Sequence, residues 1–392
     1  MAYGTGCDNF VTKVQTLTGK QIVIAVTGSI AAVEVIKLIH ALRRCGAVVQ
    51  PVMSHAATGI IHPDALTYAS GRETITRLSG HVEHITWCGE EGSADLLLIA
   101  PCTANTLGKI ACGIDDTSVT TFATTALGSK KPVLVVPAMH NSMYRHPAVT
   151  ENISKLKQWG VQIVDPRIEE GKAKMAGIDE IILRCERAIL GTPLLGKTVL
   201  ITSGPCREPV DDIRILTTRS SGLMGRSLSL HAFRLGADVT VIHRDTFPCV
   251  NNIFVETADE MRSAVHRCFS KNGADIYIST AAISDFKPKR VKGKIPSGKP
   301  VNLLLEPLPK LLSEVLQQYH PLIIAFKLDR SPKNTAKKML KKGIAMVLMN
   351  SPENMGSPDG EYVLMTQEGE LPLSGKKDEI ARAIWDAVIR RL

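Results

Sequence analysis

The sequence predicts an α/β protein: two Rossmann-like or flavodoxin-like, doubly wound domains with mainly parallel sheets. Three observations carry that expectation. Short apolar runs alternate with helical periodicity along the chain, the pattern of strand–helix–strand units that close a parallel sheet. The pattern runs twice, on either side of "GTPLLGK" (191–197), a Gly- and Pro-bearing stretch without strong periodicity that reads as a linker. The 392 residues suffice for about two domains of ~150 residues or more, here placed at 1–190 and 191–392.

In the first half the strands are read at "QIVIAV", "VVQPVM", "ADLLLIAP" and "KPVLVVPAM". The first breaks at Thr27-Gly28-Ser29, where a helical pattern begins at once. In the second half they are read at "KTVLITSG", "ADVTVIH", "ADIYISTAA", "PLIIAFK" and "IAMVLMN". Composition agrees, with 44% hydrophobic residues and only 4% aromatic. No window reaches ~18 uninterrupted apolar residues, so no membrane span is expected, and the N-terminus has neither signal-peptide nor transit-peptide character. Nine scattered cysteines without a C-x-x-C pair suggest free thiols and a cytoplasmic protein rather than disulfides or a zinc site.

A net charge of +9 raises nucleic acid as a partner. The basic residues, however, concentrate in "KPKRVKGKIPSGK" (287–299) and "KLDRSPKNTAKKMLKK" (327–342), where aromatic residues for base stacking are nearly absent. Such clusters suit a polyanionic small molecule, and no nucleic acid is expected.

Ligands of open α/β sheets sit beyond the carboxyl ends of the strands, which ranks the loops. At Gly28-Ser29-Ile30 the glycine lets backbone approach closely, the serine caps a helix and free N–H groups point at an anion. No full G-x-G-x-x-G is present, which counts against a simple dehydrogenase. Ser54 follows the second strand. "APCTANTLGKIACGIDD" follows another, with Pro101, Thr103, Asn105 and Thr106, and "VPAMHNSMYRHP" follows a third. Strand ends rich in hydroxyls and amides fit a phosphorylated planar cofactor held by neutral hydrogen bonds. In the second half "SSGLMG" (220–225) opens a helix after a polar loop and suits a phosphate or an activated carboxyl.

The motifs "TGSIAA", "EHI", "APCTANTLGKIACGI" and "PAMHNSMY" resemble the flavin-dependent cysteine decarboxylases. "ITSGPCREPVDDIRILTTRSSGLMG", "AAISDFKP" and "AFKLD" resemble phosphopantothenate–cysteine ligase. In this order, over roughly residues 20–390, the chain resembles the bifunctional coenzyme A biosynthesis family, with "EEGKAK" and "PAMH" closer to its archaeal branch.

The resemblance implies FMN in the first half, at Gly28, Ser29, Ile30, Ser54, Pro101, Thr103 and Asn105. The carbanion left by direct loss of a cysteinyl carboxylate has no electron sink. Oxidation of the thiol to a thioaldehyde supplies one, and the flavin takes two electrons and returns them. His84 in "HVEHITW" is the implied acid–base group. The bacterial "PAM" is followed by an Asn that engages the substrate carboxylate. Here His140 stands there, followed by Asn141, and either could serve. The bacterial flap cysteine that protonates the enethiol is missing from "EEGKAKMAGIDE" (169–180), so Cys102, Cys112 and Cys185 are open as substitutes, with a buried structural thiol the default for each.

In the second half the resemblance implies an acyl-nucleotide made from 4'-phosphopantothenate and a nucleoside triphosphate with Mg2+, from which cysteine displaces the nucleotide. CTP is favoured, with ATP open. Lys294 matches the flap lysine that neutralises phosphate charge. The implied nucleotide and substrate residues are Thr218, where bacteria have Asn, Ser220, Ser221, Gly222, Ser279, Thr280, Ala281, Asp285 (which could also meet the cation), Phe326, and Lys338 and Lys342 on one helix face. Cys206 replaces a family threonine. Decarboxylase halves are trimers and ligase halves dimers, so a homo-oligomer, a dodecamer, is expected. Competing readings are a flavin-dependent decarboxylase of another cysteinyl substrate with a non-catalytic C-terminal assembly domain, and a non-catalytic nucleotide-binding regulator.

Overall fold

The computed structural model describes residues 15–354 and 356–392. The chain divides into two compact units, Met1–Gly191 and Thr192–Leu392.

In the first unit β1 (Gln21–Val26), β2 (Val48–Met53), β3 (Leu96–Cys102), β4 (Val133–Pro137) and β5 (Gln162–Ile163) form one sheet. Its order is β2-β1-β3-β4-β5, all parallel, so the order reverses between β1 and β3, the flavodoxin-like arrangement with its ligand crevice at that point. Both faces are covered, which is why the strands are continuous apolar runs. Helix α1 (Val35–Arg44) buries Val35, Leu38, Ile39, Ala41 and Leu42, a single stripe of a 3.6-residue repeat. Each large side chain so hidden contributes ~1.5–3 kcal/mol. The short α2 (Glu83–Cys88) precedes β3, and α3 (Ala104–Cys112), α4 (Ser118–Gly128) and α5 (Pro147–Gln158) follow. Alternate strand residues Val23, Ala25, Leu97, Ile99, Val133 and Val135 face α3, α4 and α5 in one core, which also takes Trp87 and Cys88 of α2. The last helix, α6 (Ile178–Ile189), packs with α1 and against β3 and β4. Before it lies a three-stranded antiparallel flap of Met139–His140, Lys172–Lys174 and Arg167–Glu169. Glu170 (φ 50°) and Gly171 (φ 70°) make its tight left-handed turn.

The second unit has β6 (Thr198–Thr202), β7 (Asp238–His243), β8 (Asn251–Phe254), β9 (Ile276–Ser279), β10 (Leu322–Leu328), β11 (Met346–Asn350), β12 (Asp359–Met365) and β13 (Glu370–Lys376). The sheet order is β8-β7-β6-β9-β10-β11-β12-β13. Six parallel strands in this order are the Rossmann arrangement, with its reversal between β6 and β9. The antiparallel β12 and β13 extend it. Its helices are α7 (Leu223–Arg234), α8 (Ala258–Asn272), α9 (Leu311–Gln318), α10 (Lys333–Lys341) and α11 (Lys377–Ile389). Helices α7 and α11 pack together, fixed where the fully buried Trp385 donates its indole N–H to the Leu228 carbonyl at 2.9 Å.

Candidate active sites

In the first unit the loops leaving β1 and β3 are joined by Thr27. Its hydroxyl donates to the Pro101 carbonyl at 2.7 Å and accepts from the Thr103 N–H at 3.0 Å. Thr27 is 1% exposed, so a buried bond pair holds the crevice to one width. The sequence reading missed it as a site residue, although it lies inside the quoted turn. Ser29 caps the 3-10 turn Ile30–Glu34 through a 3.4 Å contact from the Ala31 N–H, and Thr103 caps α3 by accepting from the Thr106 N–H. Gly28 has a packing reason beside the one read in the sequence. A Cβ there would lie 2.6 Å from the Ala56 Cβ, so the glycine is required by packing against the neighbouring loop. Ser54 is buried, and its hydroxyl oxygen has no hydrogen-bond partner among the described residues. A spare buried hydroxyl beside two helix starts fits a phosphorylated cofactor.

A cavity of about 890 Å³ opens between the Ile30–Glu34 turn, the flap and the start of α6. Ser29, Ile30 and His140 line it, and so do Arg167, Lys172 and Lys174. Asn141 is absent from the lining, and its N–H is tied to the Gly171 carbonyl. Of the two residues left open by the sequence, His140 is therefore the one presented to the cavity. Its Nδ1 lies 3.0 Å from the Ser142 hydroxyl, and it pairs across the flap with Lys172. Lys174 is held by Glu169 and Glu170, whereas Lys172 makes no ion pair among the described residues.

His84 sits on α2, which packs against α4. That places it in the helical layer opposite α1 and α6, and it is absent from the cavity lining. Its Nδ1 is buried without a partner among the described residues. Val82, the residue before this helix's first turn, is held at φ 46°, a left-handed conformation that strains a β-branched residue. The carboxylate of Glu83 is drawn down to about 2, chiefly by hydrogen bonds from Ser79.

No cysteine among the described residues lines this cavity. Cys102 and Cys185 are fully buried, and burial pushes the Cys102 thiol up to about 12 and that of Cys185 upward as well. Cys112 is exposed at the end of α3. No disulfide links the cysteines among the described residues.

In the second unit a cavity of about 140 Å³ lies where the sheet order reverses. It gathers Ser220, Ser221, Gly222, Thr280, Ala281 and Phe326 from the sequence-predicted set. Gly225 lets α7 approach the strand ends, since a Cβ there would meet the Ser203 Oγ at 2.1 Å. The Thr280 hydroxyl donates to the Thr202 carbonyl at 2.7 Å, tying the ends of β6 and β9. Tyr362, Asn350 and Lys377 complete the wall. Sequence reading missed all three: Asn350 ends the strand read at "IAMVLMN" without being singled out, and β12 and α11 reach the site only through the sheet order. Thr218 is absent from the lining, but its hydroxyl makes a long 3.5 Å contact to the carbonyl of Ala282, which lines it. Cys206 is a core residue, 2% exposed, with its thiol pushed up to about 12.

Ser279, Asp285, Lys294, Lys338 and Lys342 do not line this cavity. Asp285 is exposed and paired with Lys310. Lys338 lies in the last turn of α10, and Lys342 is its C-cap. Both are exposed. Lys294 is exposed on a loop clasped at both of its neighbours. The Gly293 N–H donates to Asp212 at 3.0 Å, and the Ile295 N–H donates to Asp211 at 3.0 Å. Asp211 also accepts from the Ile213 and Arg214 N–H groups, and these bonds hold its carboxyl far below the usual range. No group of three or more His, Cys, Asp or Glu among the described residues could hold a metal ion.

Comparison with known proteins decides between the readings. A family model described as Flavoprotein matches residues 11–189. One described as DNA/pantothenate metabolism flavoprotein C-terminal domain matches residues 194–392. The coenzyme A biosynthesis bifunctional protein CoaBC of Thermococcus kodakarensis is 43% identical over 98% of both chains. The chain belongs to the CoaBC family. The CoaBC of Vibrio cholerae is 33% identical over 95% of this chain and 99% of its own, consistent with the archaeal character of "EEGKAK" and "PAMH". A crystal structure of a CoaBC C-terminal domain covers 51% of this chain and 97% of its own, at 28% identity and a TM-score of 0.44. As a CoaBC the protein is a bifunctional enzyme of coenzyme A biosynthesis, with a flavoprotein half and a ligase half. No helix among the described residues is long and apolar enough to cross a membrane.

Proposed function

We propose that the second unit joins cysteine to 4'-phosphopantothenate through an acyl-nucleotide made with CTP and Mg2+, and that the first decarboxylates the product with FMN. Residues 1–190 and 191–392 are assigned these roles. The observation that carries the reading is the pair of built crevices, one at the reversal of each sheet, in a chain related to CoaBC proteins over its whole length. FMN supplies a two-electron sink and source. The Thr27-braced loops would hold it, with Ser54, Ser29 and the α1 side donating to its phosphate. His140, on the cavity wall, would engage the substrate carboxylate and His84 would move the proton. With no thiol on the wall among the described residues, His140 or Lys172 would protonate the enethiol. Because His84 and the cavity lie in opposite layers, a complete site would take them from two subunits of a trimer. Ligase halves pairing as dimers would then give a dodecamer.

In the second unit the N–H groups at the start of α7 would face a phosphate or the activated carboxyl, and Lys294 would neutralise charge as it develops. Magnesium would arrive with the triphosphate oxygens, as it does where protein ligands are few. The test is to incubate the protein with 4'-phosphopantothenate, cysteine, Mg2+ and either CTP or ATP, and to follow products by mass. The reading requires 4'-phosphopantetheine with CTP. Phosphopantothenoylcysteine that accumulates despite bound flavin would remove the decarboxylase assignment, and no product with CTP would remove the ligase assignment.

A further inference from the structure

Lys377 is the first residue of α11 and is 6% exposed, yet its ammonium makes no hydrogen bond or ion pair among the described residues. Three physical terms oppose a cation there. Burial takes away part of its hydration, the positive end of the α11 dipole repels it, and no carboxylate lies within ion-pair distance to compensate. Its pKa is correspondingly lowered by burial, with Asp359 the countering charge. A lysine in this position contributes little to the fold that an apolar side chain would not.

The wall it belongs to explains the arrangement. Lys377 borders the 140 Å³ cavity together with Ser220, Gly222 and Thr280. Gly222 caps the start of α7, so the cavity meets two helix N-termini, the hydroxyls of Ser220, Ser221, Thr280 and Tyr362, and one partly desolvated ammonium. Every one of these attracts negative charge, and no acidic side chain is on the wall. We infer that Lys377 is a phosphate-binding residue of the ligase site, closing on a phosphate ester held between the starts of α7 and α11. The inference rests on the ligase reading above and adds to it a residue from outside the recognised motifs. The phosphate has two possible sources, the nucleotide and 4'-phosphopantothenate.

The test uses the full chain and two variants, Lys377→Met, which keeps length and bulk, and Lys377→Gln. Affinities for CTP, ATP, 4'-phosphopantothenate and unphosphorylated pantothenate are measured by calorimetry, and each apo protein is melted. The expected result is an apo melting temperature at or above that of the wild type, with affinity for one phosphate ligand lowered by about 30-fold or more. Loss confined to the nucleotides identifies the nucleotide phosphate. Loss for phosphopantothenate, with pantothenate unchanged, identifies the other source. Unchanged affinities in both variants overturn the role of Lys377 while leaving the ligase reading intact. A lowered apo melting temperature in both variants also overturns it, since the lysine is then structural. Wild type that binds none of the phosphate ligands removes the ligase reading and this inference together.

Discussion

A buried imidazole nitrogen without a partner, as at Nδ1 of His84, carries a penalty of ~1–3 kcal/mol that a bound molecule or a neighbouring subunit can remove. His84→Asn is therefore expected to keep the fold and the flavin, seen as unchanged visible absorbance, and to abolish CO2 release. Retained release would show that another group moves the proton. Lys294 is tested on the other reaction. Lys294→Gln removes one cationic contact to developing phosphate charge, worth ~3 kcal/mol or about a hundredfold in rate. Synthesis of phosphopantothenoylcysteine should fall accordingly, while the ready-made compound is still decarboxylated. Asp211→Ala should fall in the same direction, because it frees the Ile295 side of the loop. If both activities drop together in Lys294→Gln, the lysine is structural. The contrast between these residues and those that escaped the sequence is physical. His84, Ser220 and Lys294 have roles implied by the motif each lies in, whereas the motifs that hold Thr27 and Asp211 say nothing of their distant partners. Thr27, Asp211 and Lys377 act through partners 74, 84 or more positions away in the case of the first two, and through the sheet order in the third.

At the scale of elements, nine of the eleven parallel strands were legible because parallel strands covered on two faces leave unbroken apolar runs, whereas the partly exposed edge strands β5 and β8 were missed. The antiparallel β12 and β13 were missed too, since their exposed residues interrupt the run. The flap of the first unit was legible only as a region lacking a cysteine. Its pairing with Met139–His140 is non-local, and that pairing decides that His140 faces the cavity while Asn141 is tied back. The turn after β1 offers a sharper test. Gly28→Ala places a methyl against Ala56 and should destabilise the first unit by ~1–3 kcal/mol, the usual range for overpacking. Ala56→Gly in the same chain should restore most of the loss in thermal melts and flavin content. If melting recovers but flavin does not return, the glycine also admits the cofactor's phosphate, as its place in the turn first suggested.

For the whole molecule, the placement of His84 and of the flap in opposite layers of one unit has a consequence for assembly. Two inactive variants, His84→Asn and His140→Ala, each lack one side of the decarboxylase site. Coexpressed in equal amounts they should recover about a quarter of wild-type decarboxylation, because random trimers pair an intact His84 with an intact His140 at that frequency. No recovery would place both residues in one subunit's site. Light scattering should give a dodecamer, and a flavin-loaded monomer or simple dimer would count against trimers joined by dimers.

The ligase cavity also has an order in time. Ser220 and Gly222 are made early in the second unit, Thr280 and Phe326 follow, and Tyr362 and Lys377 come after the parallel strands are already present. On a ribosome, where domains fold from the N-terminus onward, the flavin crevice of the first unit has all its residues long before the phosphate pocket of the second acquires its lysine. A nascent chain stalled after β11 would thus expose the carboxyl edge of six strands with Lys294 already made but Lys377 still missing. It would carry the cofactor half of the enzyme while still unable to activate a substrate.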